Sequence, residues 1–306
     1  MRAFARALAF TVALSGGNTA FAAQIKIGYT PSIDIAPIFS AIEEGFFAKR
    51  GLEVEMQAGN GSVMIAGLSS NSLQISNPTV PTFLQAVDAG LDLVLISGDN
   101  FTKPGIDQFA VVTRAGVTAA RPADYAGKKI GVSTIGAFLH VLFVEWLNKN
   151  GVDPKKVSFV EIPFPQMADV MKGGTVDAVI TVEPFVSRMV GSGIGTASSA
   201  FVHDFPPGLP VATFAMTRAY ATANPDVVKG FREAFTEGVA FMAANPDRMR
   251  AHTAKYLKLP VEVLAKIPTP DLHVALPAQG IADWVVIMKR QELIKGSPDP
   301  AKVIWP

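Results

Sequence analysis

Between residues 25 and 190, short apolar runs alternate with longer stretches whose apolar positions recur every three or four residues. The pattern predicts a strand at 25–30, a helix at 36–49, a strand at 52–57 and a short helix at 62–68. It continues with a strand at 73–76, a helix at 78–89 and a strand at 91–97. A second series follows: strand 129–133, helix 136–150, strand 157–162, helix 166–172, strand 176–181 and a helix at 184–190. Short apolar strands separated by helices imply a mostly parallel sheet covered on both faces, here twice over.

The two series can be laid over one another. Lys26-Ile27-Gly28-Tyr29-Thr30 matches Lys129-Ile130-Gly131-Val132-Ser133 at a shift of 103, and Leu73 to Ser76 matches Val176 to Val179 at the same shift. Gly51-Leu52 and Gly151-Val152 end the first helix of each series at a shift of 100. Two further segments are alike, Phe109 to Arg114 and Phe214 to Arg218. They flank the second series, where a chain of two lobes must cross between them, and are expected to be crossover strands forming a hinge. The domains expected are therefore 23–110 together with 216–306, and 111–215.

Beyond Thr217 the pattern is helical only. Asn224-Pro225-Asp226 and Asn245-Pro246-Asp247 combine a capping residue, a proline at the first turn and an acid facing the positive helix end. Val227, Val228, Phe231, Phe235, Val239 and Met242 form one apolar stripe, expected to pack on the first lobe. The last residues, to Pro306, are expected to be a loosely held tail.

Ligands gather beyond the carboxyl ends of strands in open parallel sheets, so the residues following each predicted strand are candidates. In the first series these are Thr30, Ser32, Asp34, Asn60, Ser62 and Asn77; in the second, Ser133, Thr134, Gly136, Ala137, Phe138 and Glu183. Ser62, Ser133 and Thr134 sit where a helix begins and can offer a hydroxyl beside unpaired N–H donors. A hydroxyl that merely caps its own helix is the competing interpretation. Glu183 or Asp34 could meet a ligand amine, and Glu183 could instead simply stabilise a helix start. Helix ends favour a compact anion, but Arg114 and Arg188 are the only basic residues that could swing in as a clamp, and solvated positions suit both better. His140 sits on a helix apolar almost all round and is expected to be a core histidine.

Composition narrows the chemistry. With no cysteine, the chain has no disulfide, thiol nucleophile, zinc-thiolate site or lipid-anchored cysteine. The four histidines show no metal-ligand spacing, and neither a nucleophile elbow nor a phosphate-loop lysine occurs, so neither catalysis, a metal nor a cofactor is expected. A net charge of +1 without charge blocks argues against nucleic acid as a partner. Residues 1–22 follow the secretory template: Arg2 and Arg6, an apolar run from 7 to 14, and Ala20-Phe21-Ala22 as cleavage site. Export as a monomer free of the membrane is expected.

Several of these phrases resemble the periplasmic solute-binding proteins of ABC importers for nitrate, taurine, alkanesulfonates and thiamine-pyrimidine precursors. They are Ile25 to Tyr29 with Ala36-Pro37-Ile38, the run Glu44 to Val54, Gly127 to Val132, Gly173 to Ala178, and Glu183-Pro184. The resemblance implies a two-lobed, type II-like periplasmic-binding-protein fold with two crossover strands as hinge. It also implies a periplasmic protein that closes like a venus flytrap on a small organic ligand, expected to be a sulfonate, carboxylate or heterocycle. The partners implied are a membrane permease and its ATPase. Two alternatives remain: a sensor subunit signalling to a membrane receptor, and an enzyme like the pyrimidine-precursor synthases, which depend on a cysteine-rich motif absent here.

Overall fold

A computed structural model describes residues 23–306. The expected secretory segment lies outside the described residues. Two five-stranded sheets organise the chain. The first contains β1 (Ala23–Tyr29), β2 (Leu52–Ala58), β3 (Ile75–Ser76) and β4 (Leu93–Gly98), interleaved with helices α1 (Ala36–Glu43), α2 (Gly61–Ser69) and α3 (Val80–Asp88). A two-residue strand, β5 (Asn100–Phe101), leads out of it.

The second sheet contains β6 (Phe109–Arg114), β7 (Lys129–Val132), β8 (Ser158–Glu161), β9 (Ala178–Val182) and β10 (Gly195–Ser199), with α4 (Phe138–Lys149), α5 (Phe164–Lys172) and α6 (Phe185–Gly191) on its faces. Strand β11 (Thr213–Thr217) returns the chain to the first sheet, and α7 (Arg218–Ala223), α8 (Pro225–Ala244), α9 (Pro246–Leu257) and α10 (Val261–Leu264) follow. The chain ends with β12 (Asp271–Leu272), α11 (Ala278–Arg290) and α12 (Pro300–Val303).

The sheets share one topology. Their strand orders are β2-β1-β3-β11-β4 and β8-β7-β9-β6-β10, and in both the fourth strand alone runs antiparallel to its neighbours. The shift of 103 survives at the level of register: Ile27 pairs with Ile75 and Gly28 with Ser76, while Ile130 pairs with Ala178 and Gly131 with Val179. Even the neighbouring pairs obey it, Lys26 with Glu55 and Lys129 with Ser158. The look-alike segments β6 and β11 are the two antiparallel strands, so they occupy corresponding places. Each belongs whole to one sheet, and the chain passes between the sheets in the flanking segments 102–108 and 200–212.

One core lies between the first sheet and α1 and α8, where Phe214 meets Phe231 edge-on with centroids 4.8 Å apart. The α8 stripe read from the sequence is this face: Val227, Val228, Phe231 and Phe235 are buried there. A second core runs without interruption from the opposite face of the first sheet into the second lobe. The expected loose tail is not what forms. Trp284 of α11 is fully buried, bonds the Pro210 carbonyl at 2.8 Å and packs on Phe138 with centroids 5.7 Å apart. Ile304 bridges to Leu95, Trp305 donates to the Leu95 carbonyl at 2.8 Å, and Arg232 holds the carbonyls of Trp305 and Pro306. The tail extends the edge of the sheet beside β4, and Trp284, Ile294 and Val303 are buried by elements remote in sequence.

Candidate functional site

A cavity of about 60 Å³ lies between the carboxyl ends of the two sheets. That is room for about four waters or one compact molecule. From the first lobe, Thr30, Ser32 and Asp34 reach it after β1, Gly61 and Met64 from α2, and Asn77, Thr79 and Thr82 after β3. The second lobe supplies Ser133, Thr134, Ala137 and Phe138 after β7, with Phe109, Phe164 and Val182 as apolar walls; Val211 and Ala212 close it from the returning crossover segment.

Two helices point their N-termini at the cleft, and each is capped by the other lobe. The Gly61 N–H at the start of α2 donates to Thr134 Oγ1 at 3.3 Å, and the Phe138 N–H at the start of α4 donates to Thr79 Oγ1 at 3.3 Å. The sequence explains the second bond: the residue in the capping position of α4 is Ala137, which has no acceptor. Asn60 caps α2 conventionally, accepting from the Val63 N–H at 3.1 Å. A third tie crosses beside them, from Gln85 Nε2 to the Gly136 carbonyl at 2.7 Å.

Gly136 is required in that turn. Its φ is +81°, and a Cβ would lie 2.8 Å from the Gln85 side-chain oxygen. The turn is fixed from within as well. The Gly136 N–H donates to His140 Nδ1 at 3.1 Å and the Ile135 N–H to Glu161 Oε1 at 2.7 Å. Burial pushes the His140 imidazole down to about 4, so the ring is neutral, with Nδ1 as acceptor and its proton on Nε2.

Beneath the cavity lies a buried polar network. Asp34 accepts from the Ser32 hydroxyl and, at 3.5 Å, from Asn100 Nδ2. Asp99, at the turn from β4 into β5, accepts from Asn77 Nδ2 at 2.9 Å through one oxygen; the other, Oδ1, has no partner among the described residues. Burial raises the carboxyl pKa of Asp34, and burial together with the nearby Asp34 charge raises that of Asp99 further. Among the described residues no Lys, Arg or His lines the cavity.

Of the twelve candidates read from the sequence, Thr30, Ser32, Asp34, Asn77, Ser133, Thr134, Ala137 and Phe138 line the cavity. Gly136 shapes its rim. Asn60 is occupied as a cap and Ser62 is exposed on the outer side of α2. Glu183 is buried but turned to Ser187, whose N–H and hydroxyl it accepts at 3.1 and 2.7 Å; its burial raises its pKa. Its backbone still joins the lobes, taking the Ile33 N–H at 3.3 Å. Neither Arg114, bonded to the Val176 carbonyl, nor the exposed Arg188 approaches the cavity. Thr79 and Phe164 follow predicted strands and fall under the strand-end rule; Asp99, Thr82 and Phe109 were not among the candidates. The strand-end rule applied to the fourth strand would have found Asp99.

Among the described residues no helix is long and apolar enough to cross a membrane, and no group of three or more acids and histidines could hold a metal.

A sequence profile of the NMT1-like family matches residues 19–258. The nitrate/nitrite binding protein NrtA of Nostoc sp. is 24% identical over 233 residues, covering 70% of this chain and 52% of its own length. The chain thus spans about half the length of curated relatives of this kind. Among solved structures, the alkanesulfonate-binding protein SsuA from Xanthomonas axonopodis pv. citri, bound to MOPS, superposes with a TM-score of 0.76 at 20% identity, covering 92% of this chain and 98% of that one. The periplasmic nitrate-binding protein NrtA from Synechocystis superposes with a TM-score of 0.73 at 18% identity, covering 92% and 86%. The fold is that of the two-lobed periplasmic binding proteins.

Proposed function

Because the chain belongs to the NMT1-like family, we propose that it is the solute-binding component of an ABC importer. In this reading it captures a compact organic molecule between its lobes and passes it to a membrane permease driven by an ATPase. It acts outside the cytoplasmic membrane, as a monomer, and performs no chemistry on its ligand. The hinge is placed in segments 102–108 and 200–212, with the lobe boundaries inside them.

One observation carries the reading: the cavity is walled by both lobes, and the bonds that close it run from one lobe to the other. Ligand touching both walls binds the shut form better than the open one, and that difference in affinity drives closure. The named relatives are binding proteins for small solutes, which agrees with binding rather than catalysis.

A thermal-shift panel on the secreted chain tests it, using taurine, alkanesulfonates, nitrate, aromatic carboxylates, amines and amidines. A ligand present at a hundred times its Kd stabilises by about 2.7 kcal/mol, which at this chain length raises Tm by several degrees. Absence of any shift across the panel, or unchanged solute uptake in a strain lacking the gene, would overturn the reading.

A further inference from the structure

Among the described residues no basic side chain lines the cavity beside its acids. Asp34 is 6% exposed, lines the cavity and accepts from a hydroxyl and an amide, both neutral donors. Directly behind it, Asp99 is fully buried with one oxygen unpartnered among the described residues, and its other oxygen is held by Asn77, which itself lines the cavity. A buried carboxylate keeps its charge only beside a countercharge; without one it takes up a proton. Here no basic side chain lines the wall, so the countercharge is left to a proton or to whatever enters.

The first N–H group of α2 and that of α4 already donate to hydroxyls of the opposite lobe. An anion at either of those two groups would have to displace its bond and sit near Asp34 as well.

We propose that the ligand presents a protonated nitrogen group, an ammonium or amidinium, to Asp34, with the Asp99 carboxyl and Asn77 behind it. This rests on the solute-binding reading and gives the chemical class of its ligand. Asp34 is the binding residue. Asp99 acts through Asn77, as a positioning residue. The apolar walls of Met64, Phe109, Phe138 and Phe164 suit the carbon body of such a cation.

The test is a charge series of constant shape, by calorimetry at neutral pH: benzamidinium, benzamide and benzoate, and the smaller acetamidinium, acetamide and acetate. In the wild type the amidinium of each set binds at least tenfold more tightly than the carboxylate, with the amide between. In Asp34→Asn the amidinium loses at least tenfold and the amide does not. Asp99→Asn, whose amide can still face Asn77, weakens the amidinium less than Asp34→Asn does. Carboxylates binding as tightly as amidiniums to the wild type overturn the proposal even if Asp34→Asn fails to fold. So does binding of nitrate or ethanesulfonate with no amidinium bound, although solute binding itself then stands. Binding of none of these ions overturns the solute-binding reading along with it.

Discussion

His140 shows how one buried residue ties the site to pH. Its imidazole is neutral in the folded protein because burial disfavours the charged ring, and its Nδ1 must stay unprotonated to accept the Gly136 N–H. Unfolding frees the ring to titrate near 6.5, so below that pH the unfolded chain binds the extra proton. Stability from this residue is therefore present above about pH 6.5 and lost as pH falls towards 4. The gap between the two values corresponds to about 3 kcal/mol. The buried acids Asp34, Asp99 and Glu183, whose pKa values are raised, slope the opposite way, since they bind their protons more readily when folded. The difference between wild type and His140→Gln isolates the histidine: denaturant midpoints should converge between pH 6.5 and 4 as the wild type loses stability. Parallel curves would show that the ring does not carry this slope. At this scale the sequence was informative where a residue follows a strand, as Asp34 and Asn77 do. It was uninformative about Glu183, whose carboxylate is taken by Ser187 four residues along its own helix.

At the scale of elements, the turn and helix from Ser133 to Lys149 and the ends of α2 and α3 that face them show what periodicity can and cannot reveal. Strands, helices and the shift of 103 were legible because each lobe repeats one hydrophobic pattern, and the register of β1 with β3 reappears in β7 with β9. The reciprocal caps were not legible, since Thr79 and Phe138 belong to different lobes and meet only when those lobes close. Ala137 gave the one hint, a helix start lacking a capping side chain. Thr79→Val removes the acceptor from the α4 terminus while preserving shape. The lost cap should cost about 1 kcal/mol, and only in the closed form, where the two meet. Ligand affinity is then expected to fall about fivefold while the free protein's melting temperature changes little. An unchanged Kd measured by calorimetry would remove the cap from any part in closure.

At the scale of the whole molecule, the C-terminal segment fastens the lobes through α4. Arg290 pairs with Glu145 of α4, which is 1% exposed, while Gln291 reaches Glu145 at 3.2 Å and the Val141 carbonyl at 3.0 Å. Trp284 packs against Phe138 beside them. The sequence analysis missed this tie for the reason it misread the tail: the partners of residues 284–305 lie far back in the chain, and no local pattern announces them. Arg290→Ala leaves the buried Glu145 carboxylate with Gln291 alone. Removing one partner of a buried pair costs about 3 kcal/mol; the guanidinium here is half exposed, so about 2 is expected. The denaturant midpoint should fall accordingly, and small-angle scattering of the ligand-free variant should show a larger radius of gyration than wild type. An unchanged radius would mean that the pair steadies α4 without restraining the lobes.

The exchange of caps between the lobes has a consequence for traffic. A clamp whose first helix N–H groups are bonded by its own opposite jaw can shut while empty with those donors satisfied. From outside, a shut empty molecule and a shut loaded one present the same face, so for an importer of the kind proposed the empty form is a decoy that occupies the dock and delivers nothing. Throughput at high protein levels then follows the ratio of loaded to empty shut molecules rather than their total number.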